Sequence, residues 1–218
     1  MVTVLHDSWT HKLARLAVRP LIDSPVTPNH LTTLRLLTGL AACLGFAHGD
    51  RFFVICAGFL WIASAFLDRA DGELARLSGK MSRNGHLYDY ACDVVVNGLV
   101  FLSIGIGLRS ESFGAGYIIF GFIAGVTVSA ASLLSERLEK MNSDIGKAYE
   151  GRAGFDFDDI LYIFGPLAWL DLLSFLLIGA VIGGPIFAGW TWFRLHKENK
   201  KVKDSIEPEL PVEHQLHR

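Results

Sequence analysis

The sequence predicts an all-α, polytopic membrane protein with six transmembrane helices and an N-terminal interfacial amphipathic helix. Two observations support this fold class. Hydrophobic residues make up 51% of the 218 residues and charged residues only 19%, whereas about a quarter of residues are charged in soluble domains. The apolar residues also form long runs separated by short polar loops, and an apolar run of ~20 residues can cross a bilayer as a helix.

Residues 1–29 are expected to form a cytoplasmic interfacial segment. Apolar and basic side chains would lie on opposite sides of one helix: Trp9, Leu13, Leu16 and Ala17 on one side, and Lys12, Arg15 and Arg19 on the other. This pattern suits a helix that lies among lipid head groups, although it equally fits a helix on a protein surface. Pro25 and Pro28 then interrupt the helix.

Residues 30–195 are expected to form a six-helix transmembrane catalytic domain. The predicted spans are the apolar runs 31–47, 52–67, 86–108, 114–134, 157–170 and 172–193. The fifth run is short, and Asp171 separates it from the sixth. Gly121 and Gly125, in the fourth, have a spacing that allows helices to approach closely. Residues 196–218 are charged, contain two prolines and are expected to form a cytoplasmic polar tail.

The distribution of Lys and Arg predicts the orientation in the membrane. Basic residues are concentrated before the first span, between the second and third, between the fourth and fifth, and after the sixth, whereas the opposite loops hold only Arg51 and Arg109. Cytoplasmic loops are enriched in Lys and Arg. Both termini and the polar segment 68–93 should therefore face the cytoplasm, in a bacterial-type cytoplasmic membrane.

The scattered basic residues and a net charge of -2 argue against a nucleic-acid partner.

Four aspartates form the most informative pattern in the chain. Asp68 and Asp71 end the second span three residues apart, and Asp89 and Asp93 begin the third span four residues apart. Each spacing places a pair on one helix face, and antiparallel packing would bring the pairs together. Asp68 alone also fits a helix cap, but Asp93 lies deeper in its span, where an ionisable residue is a functional candidate. Clustered carboxylates need a compensating cation, and oxygen ligands favour Mg²⁺ or Mn²⁺. We expect two such ions, which would clamp a diphosphate.

Residues near the aspartates add features of a diphosphate site. Gly72 and Gly85 leave room for a ligand against the backbone, and Arg76 can pair with phosphate oxygens through its planar guanidinium. Arg35, in the first span, is interpreted as a side chain that extends towards the membrane interface and does not bind substrate.

The arrangement D-x-x-D-G-x-x-A-R, eight residues, G-x-x-x-D-x-x-x-D resembles the signature of the CDP-alcohol phosphotransferase family. Each fixed position is filled, by Asp68, Asp71, Gly72, Ala75, Arg76, Gly85, Asp89 and Asp93. Pro28, Asn29 and Thr32 also look like the Pro-Asn-x-x-Thr sequence that begins the first membrane helix of this family. The resemblance extends over about residues 28–134.

This resemblance implies a six-helix, homodimeric enzyme embedded in membrane lipids. Asp68, Asp71 and Asp89 would bind metal, while Asp93 would bind metal and act as the general base on the acceptor hydroxyl. The residues that would contact the CDP-alcohol are Gly72, Ala75, Arg76, Gly85, Ser82, Asn29 and Thr32. The acceptor hydroxyl would attack the β-phosphorus of the CDP-alcohol, and CMP would leave.

The resemblance leaves the two substrates open. The donor would be CDP-diacylglycerol or another CDP-linked alcohol, used in phospholipid biosynthesis. In the alternative, a CDP-inositol-type headgroup would be transferred to a lipid or a polyol phosphate. Lys147 and Arg152 could bind a phosphorylated acceptor, or they could only follow the bias of cytoplasmic loops towards basic residues.

Two other classes of protein also place acidic residues on membrane helices. Intramembrane prenyltransferases bind diphosphate through Mg²⁺ and Asp-rich repeats, but their pattern lacks the Gly-x-x-Ala-Arg link. A cation transporter would carry its acidic residues near the span centres, whereas these four aspartates lie towards one membrane face. Release of CMP from a CDP-alcohol would distinguish the three classes.

Overall fold

The computed structural model describes residues 8–141 and 157–206, and the regular elements within these ranges are all helical. The α-helices are α1 (Trp9–Val18), α2 (Pro28–His48), α3 (Arg51–Ser78), α4 (Arg83–Gly107), α5 (Gly116–Met141), α6 (Phe164–Trp169) and α7 (Leu173–Ile206). A 3-10 helix, Phe157–Ile163, leads into α6. The predicted all-α class is confirmed for the described part of the chain.

Five of these helices, α2 to α5 and α7, are long and apolar enough to cross a membrane. They coincide with the first four predicted spans and the sixth. The predicted fifth span is not confirmed, because Asp159–Trp169 is a shorter apolar helix. Part of this segment is wound as a 3-10 helix, and the chain turns sharply at Asp171, which has a positive φ of 63°.

Helix α3 continues well beyond the predicted span that ends at residue 67. It includes Asp68, Asp71 and Arg76 and ends at Ser78, where Gly79 adopts a φ of 66° that favours glycine. Helix α4 begins after Ser82, whose Oγ accepts a hydrogen bond from the backbone N–H of Gly85 at 3.0 Å. The four aspartates therefore lie on two continuous helices.

Helix α2 packs between α3 and α4, and helix α5 packs between α4 and α7. The core lies at these contacts. Helices α4 and α5 approach closely at the two glycines noted in the sequence. A Cβ atom at Gly121 would lie 2.5 Å from the carbonyl oxygen of Phe101, and one at Gly125 would lie 2.5 Å from that of Gly98. These distances are too short for a real Cβ, so both glycines are needed for this helix contact.

Helix α1 packs on α3 through its small and polar side chains. Its buried residues are Thr10, His11, Ala14 and Val18. The apolar side chains Trp9, Leu13 and Leu16 are 49%, 49% and 62% exposed. The apolar face predicted for this helix is therefore directed away from the protein.

Helix α7 continues past residue 195 to Ile206, so the first part of the predicted polar tail is helical. Residues 207–218 of that tail lie outside the described residues.

Candidate active site

Three of the four aspartates meet beside α2, which packs against both α3 and α4. Asp68, Asp71 and Asp89 each place one carboxylate oxygen within 4.8 Å of the others. Asp71 is 3% exposed, while Asp68 and Asp89 are partly exposed. Hard divalent cations bind carboxylate oxygens in this way. The arrangement fits a divalent metal site, as the helical spacing predicts.

The guanidinium of Arg35 lies among these carboxylates. Its Nη1 atom is 3.3 Å from Oδ1 of Asp68 and donates to Oδ1 of Asp89 at 3.2 Å. Its Nη2 atom donates to Oδ1 of Asp93. Arg35 is only 3% exposed, so the interpretation that it extends towards the membrane interface is wrong. Because α2 packs against both α3 and α4, this position faces the carboxylates.

Sequence reasoning missed the role of Arg35 although a signal was present. Arg35 follows Thr32 by three residues, which places the two side chains on one face of α2. Asn29, three residues before Thr32, shares this face. A buried cation on that face stabilises several clustered carboxylates.

Asp93 lies one helical turn beyond Asp89 and contacts the cluster through Arg35. The group of three that could share one ion consists of Asp68, Asp71 and Asp89, and Asp93 is not part of it. The Asp93 side chain is 32% exposed, so a second molecule can reach it. This position suits a proton acceptor beside a metal site.

Thr32 donates its hydroxyl to Oδ2 of Asp71 at 2.7 Å and is 2% exposed. Its hydroxyl therefore orients a candidate metal ligand, although the resemblance implies a contact with the CDP-alcohol. A hydrogen bond from a neighbouring side chain commonly fixes the orientation of a ligating carboxylate.

Three of the other residues implied by the resemblance lie together at the start of α4. A Cβ atom at Gly85 would lie 2.9 Å from Oγ of Ser82 and 3.1 Å from Oδ1 of Asn29. Gly85 therefore lets the beginning of α2 approach the beginning of α4. The result is a group of polar atoms at one end of the helix bundle.

Gly72, Ala75 and Arg76 follow Asp68 and Asp71 along one side of α3. A Cβ atom at Gly72 would lie 3.4 Å from Nη2 of Arg76, so the guanidinium lies against the glycine backbone. Nη2 also donates to Oε1 of Glu73 at 2.9 Å. The arginine of the motif is thus held against Gly72, the residue after Asp71.

A second polar cluster joins α1 to α3. Glu73, which is 1% exposed, is 2.9 Å from Nδ1 of His11 and accepts from Nε of Arg15 at 3.2 Å. Burial and the nearby Arg69 guanidinium lower the pKa of His11, although Glu73 opposes this shift. Because a carboxylate oxygen only accepts hydrogen bonds, Nδ1 of His11 is the donor in this contact. Sequence reasoning did not identify Glu73 or His11, because their contact joins two separate helices.

The same helix has a further contact near the metal-site carboxylates. Thr10 donates its hydroxyl to Oδ1 of Asp159 at 2.7 Å, and that oxygen is 3.7 Å from Nη2 of Arg69. Nη1 of Arg69 is in turn 3.6 Å from Oδ2 of Asp68. The predicted acceptor residues Lys147 and Arg152 lie outside the described residues.

This chain is similar to known proteins of one family. The model of the CDP-alcohol phosphatidyltransferase family matches residues 25–186. The chain is 30% identical over 131 residues to a bifunctional IPC transferase and DIPP synthase of Archaeoglobus fulgidus, covering 60% of this chain and 24% of that protein. It is 35% identical over 107 residues to an archaetidylinositol phosphate synthase of Pyrococcus horikoshii, covering 49% of this chain and 55% of that protein. The chain thus spans about a quarter and about half of these two relatives.

Two solved structures share the fold, both of a phosphatidylinositol phosphate synthase from Mycobacterium tuberculosis. The form with CDP-DAG bound has a TM-score of 0.54 and 23% identity, and the match covers 84% of this chain and 94% of that one. The complex with manganese and citrate has a TM-score of 0.55 and 21% identity, with coverages of 96% and 93%. The family model covers most of the chain, the family motif is complete, and five helices are long and apolar enough to cross a membrane. This chain is therefore a multi-pass integral membrane protein that belongs to the CDP-alcohol phosphatidyltransferase family.

Proposed function

We propose that this chain is a transferase that moves a substituted phosphate group from a CDP-alcohol to an acceptor hydroxyl and releases CMP. The convergence of Asp68, Asp71 and Asp89 beside the Gly72–Arg76 segment supports the proposal most directly. One face of α3 then holds both a cation site and a phosphate-binding arginine. Membership of the family favours this reaction over the prenyltransferase and cation-transporter alternatives.

The donor we propose is a CDP-linked lipid, and the acceptor is a polyol phosphate. One fold relative was solved with CDP-DAG bound. The names of that relative and of the Pyrococcus protein both describe synthesis of a lipid-linked inositol phosphate. Lys147 and Arg152 remain the candidate residues for the acceptor phosphate. The alternative remains a CDP-inositol-type donor with a lipid or polyol phosphate acceptor.

Asp68, Asp71 and Asp89 hold the divalent metal in this proposal, and Asp93 contributes to a second ion. The ions are Mg²⁺ or Mn²⁺, because the ligands are all oxygen atoms and a fold relative was solved with manganese. When bound, such ions neutralise a diphosphate and stabilise its leaving group. Thr32 keeps the Asp71 carboxylate in place through its hydrogen bond.

Asp93 accepts the proton of the acceptor hydroxyl while that oxygen forms a bond to the β-phosphorus. The bond from this phosphorus to the bridging oxygen breaks, and CMP leaves with that oxygen. The guanidinium of Arg35 fixes the Asp93 carboxylate through Nη2. Gly72, Ala75, Arg76 and Gly85 contact the CDP part, with Asn29 and Ser82 nearby.

The membrane topology we propose has six crossings, with the active site facing the cytoplasm. The short segment before α7 supports the additional crossing. Asp159 is 3.7 Å from Nη2 of Arg69, and the carbonyl oxygen of Ala168 accepts from Nη1 of Arg51 at 2.8 Å. The segment therefore packs alongside α3, a helix of membrane length.

Helix α1 lies at the membrane interface, because its exposed side includes Trp9, Leu13 and Leu16. The proposed division into an interfacial segment, a transmembrane domain and a polar tail has its boundaries at 29/30 and 195/196, which fall within α2 and α7. The proposed assembly is a homodimer. Labelling of single cysteines placed in each loop would test the orientation, since all loops on one side must react together.

A panel of donors and acceptors tests the reaction itself. Purified protein in lipid vesicles would be assayed for CMP release with CDP-diacylglycerol or CDP-inositol as donor, each with polyol phosphate or lipid acceptors, in Mg²⁺ or Mn²⁺. We expect CMP release that EDTA abolishes and that Asp89→Asn prevents. Absence of CMP with every pair would contradict the proposed function.

A further inference from the structure

The buried carboxylate of Glu73 lies outside the predicted set of functional residues, although it is next to Gly72. Its two oxygens contact side chains from two helices. Oε1 is 2.9 Å from both Nδ1 of His11 and Nη2 of Arg76, and Oε2 is 3.2 Å from Nε of Arg15. A carboxylate that is 1% exposed needs such partners, because burial of an unpaired charge is costly.

The charges around Glu73 favour a strong hydrogen bond between Glu73 and Arg76. Glu73 faces two guanidinium cations, Arg15 and Arg76. Arg15 occupies Oε2, and the ring nitrogen Nδ1 of His11 lies 2.9 Å from Oε1. Oε1 can therefore form a charge-assisted hydrogen bond to Arg76, which is stronger than a neutral one.

This hydrogen bond restricts where the Arg76 guanidinium can lie. The Arg76 side chain is 28% exposed, and a long side chain with that exposure has many rotamers when it is unrestrained. Glu73 engages Nη2 and leaves the guanidinium against Gly72, 3.4 Å from where a Cβ atom would be. The remaining N–H groups can then approach a phosphate without further loss of side-chain entropy.

Helix α1 is itself fixed by a second contact. Thr10, the residue before His11, donates to Oδ1 of Asp159 at 2.7 Å. Both Thr10 and Asp159 are buried. The helix is thus held at two successive residues, against Glu73 on one side and the segment before α6 on the other.

We propose that α1 is a positioning element of the nucleotide site, in which Glu73, supported by His11 and Arg15, holds the guanidinium of Arg76 against Gly72 for contact with the diphosphate of a CDP-alcohol. This inference rests on the proposed function, because it takes Arg76 as a contact of the CDP part. It assigns Glu73 a positioning role and gives the N-terminal helix a part in donor affinity.

A double-mutant cycle tests the proposal, with CDP as the probe. Wild type, Glu73→Gln, Arg76→Gln and the double variant would be placed in lipid nanodiscs, and the Kd for CDP would be measured by calorimetry with Mn²⁺ present. We expect each single variant to raise the Kd by about tenfold, the effect of losing a charge-assisted contact. Glu73→Gln should change the Kd less than about twofold when Arg76 is already Gln, because it acts through Arg76.

Two additional measurements separate positioning from a general structural effect. The Kd for Mn²⁺ without nucleotide should stay within about twofold of wild type in Glu73→Gln, because the metal-site carboxylates are unaffected. In steady-state assays, KM for the donor should rise more than kcat falls. Arg19→Gln, which removes an exposed charge just after α1, is the matched control and should bind CDP like wild type.

The possible results distinguish this inference from the proposed function. Additive effects of the two substitutions, or lost Mn²⁺ binding in Glu73→Gln, would overturn the positioning role. If Arg76→Gln weakens CDP binding but Glu73→Gln does not, the inference fails and the proposed function stands. If wild type does not bind CDP, or Arg76→Gln binds it normally, the proposed donor contact fails and the inference fails with it. Should Glu73→Gln not fold, Arg15→Gln must raise the Kd by about threefold through the same hydrogen-bond network, and an unchanged Kd there contradicts the proposal.

Discussion

Nη1 of Arg35 donates to Oδ1 of Asp89 at 3.2 Å, which brings a cation from α2 into a carboxylate cluster built by α3 and α4. The second terminal nitrogen of this guanidinium, Nη2, donates to Asp93. One buried side chain therefore joins the candidate metal ligands to the candidate general base. It also reduces the repulsion among carboxylates that share a small volume.

Arg35→Gln should destabilise the metal-free protein more than the metal-bound protein. Removing one partner from a buried ionic cluster costs about 3–5 kcal/mol, because the remaining charges are left uncompensated. Bound Mn²⁺ would supply part of the missing positive charge. We therefore expect the variant to have a lower Tm in EDTA and to gain more from Mn²⁺ than wild type does.

The control for this substitution is Arg109→Gln, since Arg109 is exposed and donates only to backbone carbonyls, including that of Ile106 at 2.8 Å. Its Tm should change little in either condition. An equal loss of Tm with and without Mn²⁺ in Arg35→Gln would show that Arg35 does not compensate the metal-site carboxylates.

Asp93→Asn should remove turnover while leaving the protein folded and able to bind CDP. Asparagine keeps the shape of the side chain but cannot accept the proton of the acceptor hydroxyl. Loss of a general base lowers kcat by about 10²–10⁴-fold. CMP release under saturating substrates measures kcat, and calorimetry with CDP measures binding. Asp171→Asn, at an 86% exposed side chain, is the control, and full activity in Asp93→Asn would exclude Asp93 as the base.

Thr32→Val should weaken metal binding without a large change in packing. Valine has nearly the same shape as threonine but cannot donate the 2.7 Å hydrogen bond to Oδ2 of Asp71. Loss of such an orienting bond reduces metal affinity or activity by about 10–100-fold. Titration of CMP release with Mn²⁺ should give a half-saturating concentration at least about tenfold higher.

Thr38→Val is suitable as the comparison, because the Thr38 hydroxyl donates only to backbone carbonyls of its own helix, at 2.9 Å. Its Mn²⁺ requirement should match that of wild type. If the two threonine variants behave alike, the bond from Thr32 does not orient Asp71.

Gly125→Ala should destabilise the helix bundle even though alanine favours helices over glycine. The added Cβ atom would lie 2.5 Å from the carbonyl oxygen of Gly98, so α4 and α5 must separate. Such overpacking costs about 1–3 kcal/mol. Gly179→Ala, where no atom lies within 4 Å of the new Cβ, should be neutral or slightly stabilising. Unfolding in mixed micelles measures both, and equal stabilities would contradict the close contact of α4 with α5.

Much of the fold was predictable because membrane helices leave long apolar runs in a sequence. Five of the six predicted spans coincide with helices of membrane length. The segment Asp159–Trp169 was harder to interpret, since it is short, partly 3-10 and packed along α3. The side of α1 that is buried was also not predictable, because its His11 and Thr10 are polar and find their partners on other elements.

The sequence by itself determined the membrane class, the family motif and the aspartates that converge, because helical spacing is a local property and a motif is read along one chain. Only the tertiary structure decided that Arg35 lies among these aspartates and that Glu73 joins α1 to Arg76. Arg35 is 54 residues from Asp89, and His11 is 62 residues from Glu73. Contacts at such separations depend on which helix faces pack together, and that is settled by burial and charge compensation across the whole bundle.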